Sequence, residues 1–425
     1  MRKTVSIYTF GCKMNQYESQ AMAERLEDYE VSFSKEHADL FILNSCTVTS
    51  EAERKLRQLF RRLKGLNPNS KIIVAGCYSE LSPNQLRKLG ADEVIGVKEK
   101  TAIHRFVSKQ LNRPDGVEKG SFLTVTSSIE GRTRAFLGIE DGCLNHCSYC
   151  RIRLARGNEI ISKPVDLVKR EFSGLVERGY REVVLTGINI GYYGFDLDTS
   201  LAELLYELEK IRGDWRIRLG SIDPDTMNES FLELIANSSR LARHLHLSLQ
   251  SGSDAVLRSM RRNYTVSEYL RAVERARSID SRFAFTTDLI TGFPEESDDD
   301  HRRTLRIIEE VNFLKVHVFR FSKRPGTEAA EMTGQIDSGV KKSRSVELME
   351  EAVRSRESYL EKQIGRMNRV LIERSDSFCS HGFDEYYIPH RIAGKHEGFV
   401  DAKIIELQSD EEGSDAELYC RSVVR

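Results

Sequence analysis

Short hydrophobic runs alternate with amphipathic stretches over the first hundred residues of the chain. Two of the stretches, residues 17–29 and 51–64, repeat apolar side chains at helical spacing. Three runs have the length and composition of short buried strands: residues 5–10, 40–44 and 71–76. Alternation of strands with helices is typical of parallel sheets, in which a helix crosses over between neighbouring strands. The pattern predicts an open parallel α/β sheet for residues 1–112.

A second series of strands and helices is predicted for residues 134–365, after a polar, turn-rich linker at 113–133. Its six hydrophobic runs are separated by helical patterns: residues 135–141, 182–187, 215–221, 244–249, 283–292 and 314–321. Six such units predict a partial (β/α)6 barrel, whose site lies at the carboxyl ends of its strands. Four further runs predict a small C-terminal β-barrel for residues 366–425: residues 369–375, 385–392, 398–407 and 417–424.

Composition places the chain among soluble globular proteins. Hydrophobic residues make up 40% and charged residues 30%, and no apolar run is long enough for a signal peptide or a membrane span. We therefore predict a cytoplasmic protein without a membrane partner. The net charge of −1 gives no support by itself to a nucleic-acid ligand. In a reducing compartment the eight cysteines do not form a disulfide framework, so clustered ones indicate a metal or catalysis.

Three cysteines lie close together after the first strand of the predicted barrel. Cys143, Cys147 and Cys150 have the spacing C-x3-C-x2-C, and no fourth cysteine or histidine follows at ligand spacing. A four-iron cluster normally takes four thiolates, so three leave one iron open, which is typical of a catalytic metal. The alternative is a zinc site, for which His146 is the only local fourth ligand, at an awkward spacing. We predict an open iron–sulfur cluster, with the ring of Tyr149 packed beside the cofactor.

A second group of three cysteines is predicted in the N-terminal sheet. Cys12, Cys46 and Cys77 each follow one of its strands. Because the carboxyl ends of parallel strands share one edge of a sheet, these thiols are expected to meet there and to bind a metal. Taken singly, each would be a small buried hydrophobic residue. Cys379 and Cys420 have no such partners, and we interpret them as ordinary thiols.

Both cysteine groups and their surroundings resemble the radical S-adenosylmethionine methylthiotransferase family over essentially the whole chain. Further matching segments are residues 185–194, 247–265, 286–296 and 318–327. The resemblance implies two [4Fe-4S] clusters, one on Cys143, Cys147 and Cys150 and an auxiliary one on Cys12, Cys46 and Cys77. The first would chelate S-adenosylmethionine and, with one electron, yield a 5′-deoxyadenosyl radical, and the second would deliver sulfur as a methylthio group.

The resemblance also implies the partners of the protein. They are tRNA, which a C-terminal barrel of the TRAM type would bind, S-adenosylmethionine, and an electron donor such as flavodoxin or ferredoxin. Among the substrate branches of the family, the threonylcarbamoyladenosine branch is most similar, because Lys13 follows Cys12 where the isopentenyladenosine branch usually has glutamine. Residues 134–143 and 155–157 also resemble that branch. The expected reaction converts C–H to C–SCH3 at C2 of the adenosine 3′ of the anticodon.

Two alternatives to this function remain open from the sequence. A sister methylthiotransferase would act on isopentenyladenosine in tRNA or on an aspartate of a ribosomal protein. A protein of another class would carry closed iron–sulfur clusters for electron transfer or RNA binding, without turnover. Three cysteines in each group favour the enzyme, because a carrier keeps every metal ligated by protein.

Several polar residues near the predicted barrel site are further candidates. Asp288 is expected to point inward from the fifth strand and to touch the cofactor. His244 and His246 alternate on the fourth strand and are either metal ligands or, as we expect, hydrogen-bonded core residues. The acidic residues of 296–304 offer metal ligands, although a helix N-cap is the favoured interpretation.

Basic residues gather close to the cysteine loop of the barrel. They are Arg151, Arg153, Arg156 and Lys163. Arg151 and Arg153 stand where the family usually has an apolar residue and a proline. We interpret the group either as a solvated face or as a contact for RNA phosphates.

Overall fold

A computed structural model describes residues 2–114, 120–127, 133–409 and 418–424. In the N-terminal unit a five-stranded parallel sheet runs in the order β2-β1-β3-β4-β5 between two layers of helices. A short 3-10 helix, Lys98–Ala102, follows the last strand. The elements are β1 (Thr4–Thr9), α1 (Lys13–Glu24), β2 (Glu30–Phe33), β3 (Leu40–Ser45), α2 (Ser50–Leu66), β4 (Lys71–Gly76), α3 (Cys77–Leu81), α4 (Pro83–Leu89), β5 (Glu93–Ile95) and α5 (Ile103–Gln110).

The middle unit is a partial barrel of seven parallel strands with helices outside, in which the short β10 and β11 follow each other directly along the chain. Its strands form two sheets, β10-β9-β6 and β11-β12-β13-β14, which a bridge between Ile217 and Leu241 connects. The elements are β6 (Arg134–Gly138), β7 (Glu140–Asp141), α6 (Ile152–Arg156), β8 (Ile161–Ser162), α7 (Val165–Glu177), β9 (Glu182–Thr186), α8 (Leu201–Glu209), β10 (Arg216–Leu219), β11 (Ser221–Ile222), α9 (Glu229–Asn237), β12 (His244–Leu247), α10 (Asp254–Ser259), α11 (Val266–Ile279), β13 (Ala284–Thr291), α12 (Asp298–Val311), β14 (Lys315–Arg320), α13 (Glu328–Glu331) and α14 (Ser338–Glu361).

The C-terminal unit is a closed barrel in the strand order β15-β16-β17-β19-β18. Its strands are β15 (Met367–Ser375), β16 (Cys379–Phe383), β17 (Pro389–Ala393), β18 (Phe399–Ser409) and β19 (Leu418–Val424). This barrel lies under the amino ends of the middle strands. Arg216 at the start of β10 donates to the carbonyl oxygens of Arg369 and Phe383, at 3.2 and 3.1 Å. The small barrel therefore closes the end of the middle unit opposite its cysteine loop.

The N-terminal unit covers the open side of the middle barrel. Helix α1 lies along β6, the first barrel strand, and its residues Met14, Tyr17 and Ala21 belong to the same hydrophobic core as Ala135 and Leu137. Burying an apolar side chain of this size stabilises a fold by about 1.5–3 kcal/mol. Helix α1 therefore serves two cores, because Met22 on its other side packs in the N-terminal sheet.

The predicted fold class is confirmed, with differences at particular elements. The first helix begins four residues earlier than the predicted 17–29 and ends at Glu24. Leu26 and Tyr29 are buried beyond its end, and this extended the apolar pattern past the helix. Strand β16 was not predicted, because Cys379–Phe383 (CSHGF) is not a hydrophobic run.

Two other predictions concern the linker before the barrel and the acidic run at the start of α12. The described part of the 113–133 linker packs on the protein: Val125 is buried, and its backbone N–H donates to Glu171 at 2.9 Å. Residues 115–119 and 128–132 of that linker lie outside the described residues. The acidic run at 296–304 caps a helix, as favoured, because Ser297 and Asp300 form a capping box at the start of α12. Within the described residues, no helix is long and apolar enough to cross a membrane.

Candidate active site

The three cysteines of the barrel lie on the loop between β7 and α6. All three thiols are free and partly exposed. Burial raises the pKa of Cys143 to about 12, and Cys147 and Cys150 raise it further, since neighbouring thiolates repel one another. Burial and the Cys147 thiol likewise raise the pKa of Cys150. Together with Cys147, these two thiols form a donor set that a metal group would stabilise as thiolates.

A buried arginine fixes this loop from the opposite wall. The guanidinium group of Arg262 donates to Sγ of Cys147 at 3.2 Å and also pairs with Asp223. Asp223 accepts a second hydrogen bond from the side-chain amide of Asn145, at 2.6 Å, inside the cysteine loop. Sequence reasoning missed Arg262 and Asp223, because a contact across 115 residues leaves no mark in local periodicity.

The other three cysteines meet at the carboxyl edge of the N-terminal sheet. Cys12 caps α1, Cys46 follows β3, and Cys77 begins α3. Burial raises the pKa of Cys46 to about 12, and the nearby Cys12 and Cys77 thiols also raise it. The backbone N–H of Val48 donates to Sγ of Cys46 at 3.4 Å and partly offsets this increase. Cys12 is exposed at the surface, but the protein atoms around its thiol still desolvate the thiolate form and so raise its pKa. The structure thus brings the predicted triad together.

The spacing of the sulfur atoms distinguishes between a zinc ion and a cluster. Four thiolates bound tetrahedrally to one zinc ion at 2.3 Å are about 3.8 Å apart. Over the part of the chain that the structure describes, neither cysteine triad brings its three sulfur atoms within 4.8 Å of one another. In this arrangement the sulfur atoms are spaced more widely than the ligands of one tetrahedral ion, and three thiols fit a larger group such as a [4Fe-4S] cluster.

A buried network of charges surrounds the N-terminal triad. Arg156, at the end of α6 in the barrel, donates to Glu18 at 2.9 Å and to Asn15 at 3.1 Å. Lys100 pairs with the same carboxylate at 2.5 Å. Burial alone would raise the pKa of Glu18, but Arg156 and Lys100 lower it on balance. The positive charge of Arg156 also lowers the pKa of the Cys12 and Cys46 thiols, against the larger effect of burial.

Gly11 leaves the space that the N-terminal triad needs. Its φ is +91°, and a Cβ at this position would lie 2.4 Å from Sγ of Cys46. We expect Gly11→Ala to displace Cys46 and to lower the iron content after anaerobic reconstitution from about eight to about four per chain. Iron analysis measures this. Gly65→Ala is the matched control, since a Cβ there has no neighbour within 4 Å. An unchanged iron content of Gly11→Ala would contradict the expectation.

A cavity of about 440 Å³ adjoins the barrel cysteines. Cys150 and Tyr149 line it together with Gln250 and Asp288 of the barrel and residues 48–51 of the N-terminal unit. The ring of Tyr149 stands edge-on to Phe293, with the centroids 6.5 Å apart, and burial raises the pKa of its hydroxyl. Both predicted residues beside the cofactor, Tyr149 and Asp288, thus lie at one cavity between the two units.

The basic residues Arg151, Arg153, Arg156 and Lys163 were interpreted either as a solvated face or as a contact for RNA phosphates. Both interpretations are wrong for all of them except Arg153. Arg151 is buried and pairs with Glu53 of the N-terminal unit at 3.0 Å. Lys163 is buried and pairs with Glu171 at 2.6 Å, and Arg156 is committed to Glu18. These cations hold the two units together and are not available to solvent or phosphate.

Inward-facing residues of three neighbouring strands meet in the barrel interior. His246, Asp288 and His317 offer ligand atoms that all lie within 4.8 Å of one another. His244 is buried and bonds Thr286 at 3.1 Å, as expected for a core histidine. Burial alone would raise the pKa of Asp288, but His246 lowers it on balance. Lys13, the first residue of α1, is half-buried, and desolvation by the surrounding protein lowers its pKa.

Comparison with known proteins shows similarity in both units. Residues 4–96 match the family described as uncharacterized protein family UPF0004, and residues 139–308 match the radical SAM superfamily. The chain is 44% identical over 415 residues, 96% of each chain, to threonylcarbamoyladenosine tRNA methylthiotransferase MtaB of Thermotoga maritima. It is 33% identical, over 96% of this chain and 95% of that one, to tRNA-2-methylthio-N(6)-dimethylallyladenosine synthase of Ruegeria sp..

Among solved structures, the fold is similar to the radical S-adenosylmethionine methyltransferase TsrM from Kitasatospora setae. The TM-score is 0.59 at 14% identity, covering 78% of this chain and 75% of that one. At this identity the likeness concerns the fold alone. It agrees with the partial barrel of the middle unit.

Proposed function

The chain belongs to the radical S-adenosylmethionine methylthiotransferase family, and on that premise we propose that it methylthiolates N6-threonylcarbamoyladenosine in tRNA at C2 of the base. The observation that carries the proposal is the pair of cysteine triads, each of which supplies three free thiols and no disulfide. One triad belongs to the barrel and the other to the N-terminal sheet that covers its open side. Each triad has three thiols, so each leaves a ligand position of a cluster open.

The residues divide the work between two sites. Cys143, Cys147 and Cys150 would hold a cluster that supplies radical chemistry from S-adenosylmethionine and one electron, and the second triad would hold the cluster that supplies sulfur. Arg262 places a positive charge beside Cys147 and keeps the loop in position through Asp223. The Arg151–Glu53 pair keeps the N-terminal unit against the cavity wall and so limits the entry of water.

The substrate base must leave its stack to reach a cavity of this kind. The C-terminal barrel would hold the surrounding RNA, and Phe378, 82% exposed next to β16, offers a ring on which a base can stack. An electron donor such as flavodoxin or ferredoxin would reduce the radical cluster. Support for the threonylcarbamoyl substrate comes from the more similar relatives, which are threonylcarbamoyladenosine tRNA methylthiotransferases, whereas some less identical relatives are named for dimethylallyladenosine.

Analysis of tRNA nucleosides tests the substrate directly. In cells that lack the gene, we expect the 2-methylthio form of N6-threonylcarbamoyladenosine to disappear and its unmethylthiolated precursor to accumulate. Nucleoside mass spectrometry measures both, and return of the gene must restore the product. Loss of the methylthiolated dimethylallyl nucleoside instead would show that the chain serves the sister reaction. If cells that lack the gene still contain normal amounts of both methylthiolated nucleosides, the proposed methylthiolation of tRNA is wrong.

A further inference from the structure

The cavity beside the barrel cysteines has an exposed aromatic ring at its edge. Phe319, near the end of β14, lines the cavity and is 39% exposed. Strand β14 is the edge strand of its sheet, and residues 48–51 of the N-terminal unit line the same cavity. Val48 on that side is 49% exposed. Such a ring offers a nucleic-acid base a flat apolar surface on which it can stack.

Cations without partners accompany this ring. Arg320 lines the same cavity, Lys323 follows three residues later, and both are exposed. Neither side chain forms a hydrogen bond or an ion pair with any residue that the structure describes. Lys341 of α14 donates to the carbonyl oxygen of Phe321, at 3.3 Å, and desolvation, followed by the charge of Lys323, lowers its pKa. We call Phe319, Arg320, Lys323 and Lys341 the rim patch.

The carboxylates close to the rim patch are engaged. Two of them act on its lysine from α14. Glu296 is buried and binds Arg344 at 2.7 Å, and Asp337 accepts a hydrogen bond from the backbone N–H of Gly339, also at 2.7 Å. Across the cavity, Glu51 belongs to a surface ion pair of α2. The rim patch therefore keeps an excess of positive charge, which attracts an anionic partner.

An RNA loop fits this surface better than an acidic protein does. The substrate base has to enter the cavity, so the nucleotides on either side of it cross the cavity edge. Their phosphates would meet the exposed cations, and an unstacked base would lie on the ring of Phe319. The C-terminal barrel closes the opposite end of the middle unit, where it contacts Arg216. The nucleotides next to the substrate base therefore need a contact of their own.

We propose that the rim patch binds the anticodon loop of the tRNA, with Arg320 and Lys323 on its phosphates and Phe319 on a base next to the substrate adenosine. The inference rests on the proposed function and gives the middle unit a share of RNA binding beside that of the C-terminal barrel. Contacts to phosphates and to a stacked base position the RNA without reading the group on N6 of the adenosine.

The phosphate contacts are tested with reconstituted protein and an anticodon stem–loop RNA that carries N6-threonylcarbamoyladenosine and a fluorescent label. For Arg320→Gln with Lys323→Gln, we expect Kd at physiological salt to rise by at least about 10-fold. The plot of log K against log salt should become shallower by about 1.4, because each lost contact to a single strand removes about 0.7. The matched control is Arg170→Gln with Arg306→Gln, which removes two exposed cations from the outer helices α7 and α12. Its Kd and salt dependence should equal those of wild type.

Phe319→Leu tests the stacking contact separately. The variant keeps an apolar side chain but loses the aromatic face. We expect Kd to rise by about 5- to 100-fold, whereas the salt dependence should not change, because no charge is lost. Phe319→Tyr should bind like wild type, and this recovery excludes a loss of folding as the cause.

The same measurements separate this inference from the proposed function. Equal Kd values for the rim and control double variants, or an unchanged Kd for Phe319→Leu, would overturn the inference. Unchanged RNA binding with slower reduction of the radical cluster by an acidic electron-donor protein would also overturn it and would assign the rim patch to that protein. In each case, methylthiolated threonylcarbamoyladenosine in the tRNA would leave the function intact. Weaker RNA binding by the rim variants of a protein that modifies only dimethylallyladenosine would support the inference and correct the substrate.

Discussion

Cys147→Ala is expected to abolish reductive cleavage of S-adenosylmethionine, whereas Cys46→Ala is expected to keep cleavage and to lose sulfur transfer. The reason is that the two thiols belong to separate triads on separate units, Cys147 on the barrel loop and Cys46 after β3. Loss of a ligand should lower the affected reaction by more than about 100-fold, the upper range for removal of an outer-shell partner of a metal. Chromatography of 5′-deoxyadenosine and of the modified nucleoside measures the two reactions separately.

Cys379→Ala provides the matched control for both variants. This thiol is also partly exposed, but it lies in strand β16 of the C-terminal barrel. Both reactions should continue at the wild-type rate, and iron content should stay at about eight per chain. Normal methylthiolation by Cys46→Ala would show that the N-terminal triad does not supply the sulfur. Equal cleavage of S-adenosylmethionine by Cys147→Ala and wild type would show that the barrel cysteines do not form the radical site.

Arg156→Met is expected to destabilise the metal-free protein by about 3 kcal/mol and to lower its capacity for iron at the N-terminal triad. The guanidinium group is buried and binds the carboxylates of Glu18 and Asp141, each at 2.9 Å. Its removal leaves Glu18 with Lys100 alone, in a place without water. Breaking a buried ion pair costs about 3–5 kcal/mol, and we expect the lower value here because Lys100 still pairs with Glu18. Urea denaturation under anaerobic conditions and iron analysis are the measurements.

Arg54→Met tests whether the loss of stability expected for Arg156→Met arises because the Arg156 ion pairs are buried. Arg54 pairs with Glu51 on the surface of α2, and both side chains are about half exposed. Exposed pairs contribute less than about 1 kcal/mol, so this variant should be close to wild type. The double variant Glu18→Gln with Arg156→Met should recover part of the stability, because it removes the unbalanced carboxylate. Equal effects of Arg54→Met and Arg156→Met would contradict the proposed importance of the buried network.

The three central strands of the N-terminal sheet and the positions of its cysteines could be predicted because each is visible in the local sequence, whereas the edge strands β2 and β5 were not predicted. A buried parallel strand is a short hydrophobic run, and each cysteine of the N-terminal triad directly follows one. The carboxyl-edge rule then places Cys12, Cys46 and Cys77 together without further information. The same reasoning failed for β16, because its residues are small or polar and only pairing with β15 and β17 makes them a strand.

The partners of the basic residues could not be predicted, for a physical reason. A lysine or arginine in a polar stretch is usually solvated, and nothing nearby indicates which carboxylate meets it in the folded chain. Arg151 finds Glu53 across 98 residues, and Lys163 finds the hydroxyl of Tyr17 across 146.

The contact between Arg156 and Glu18 also bears on how the protein matures. The two residues are separated by 138 positions, so the surroundings of Cys12 and Cys46 are complete only after the barrel's first helix has left the ribosome. Until then, Cys12 and Cys46 are free thiols on the nascent chain, where metal ions and oxidants can react with them. We therefore expect iron to enter the amino-terminal triad only after the barrel's first helix has folded against it.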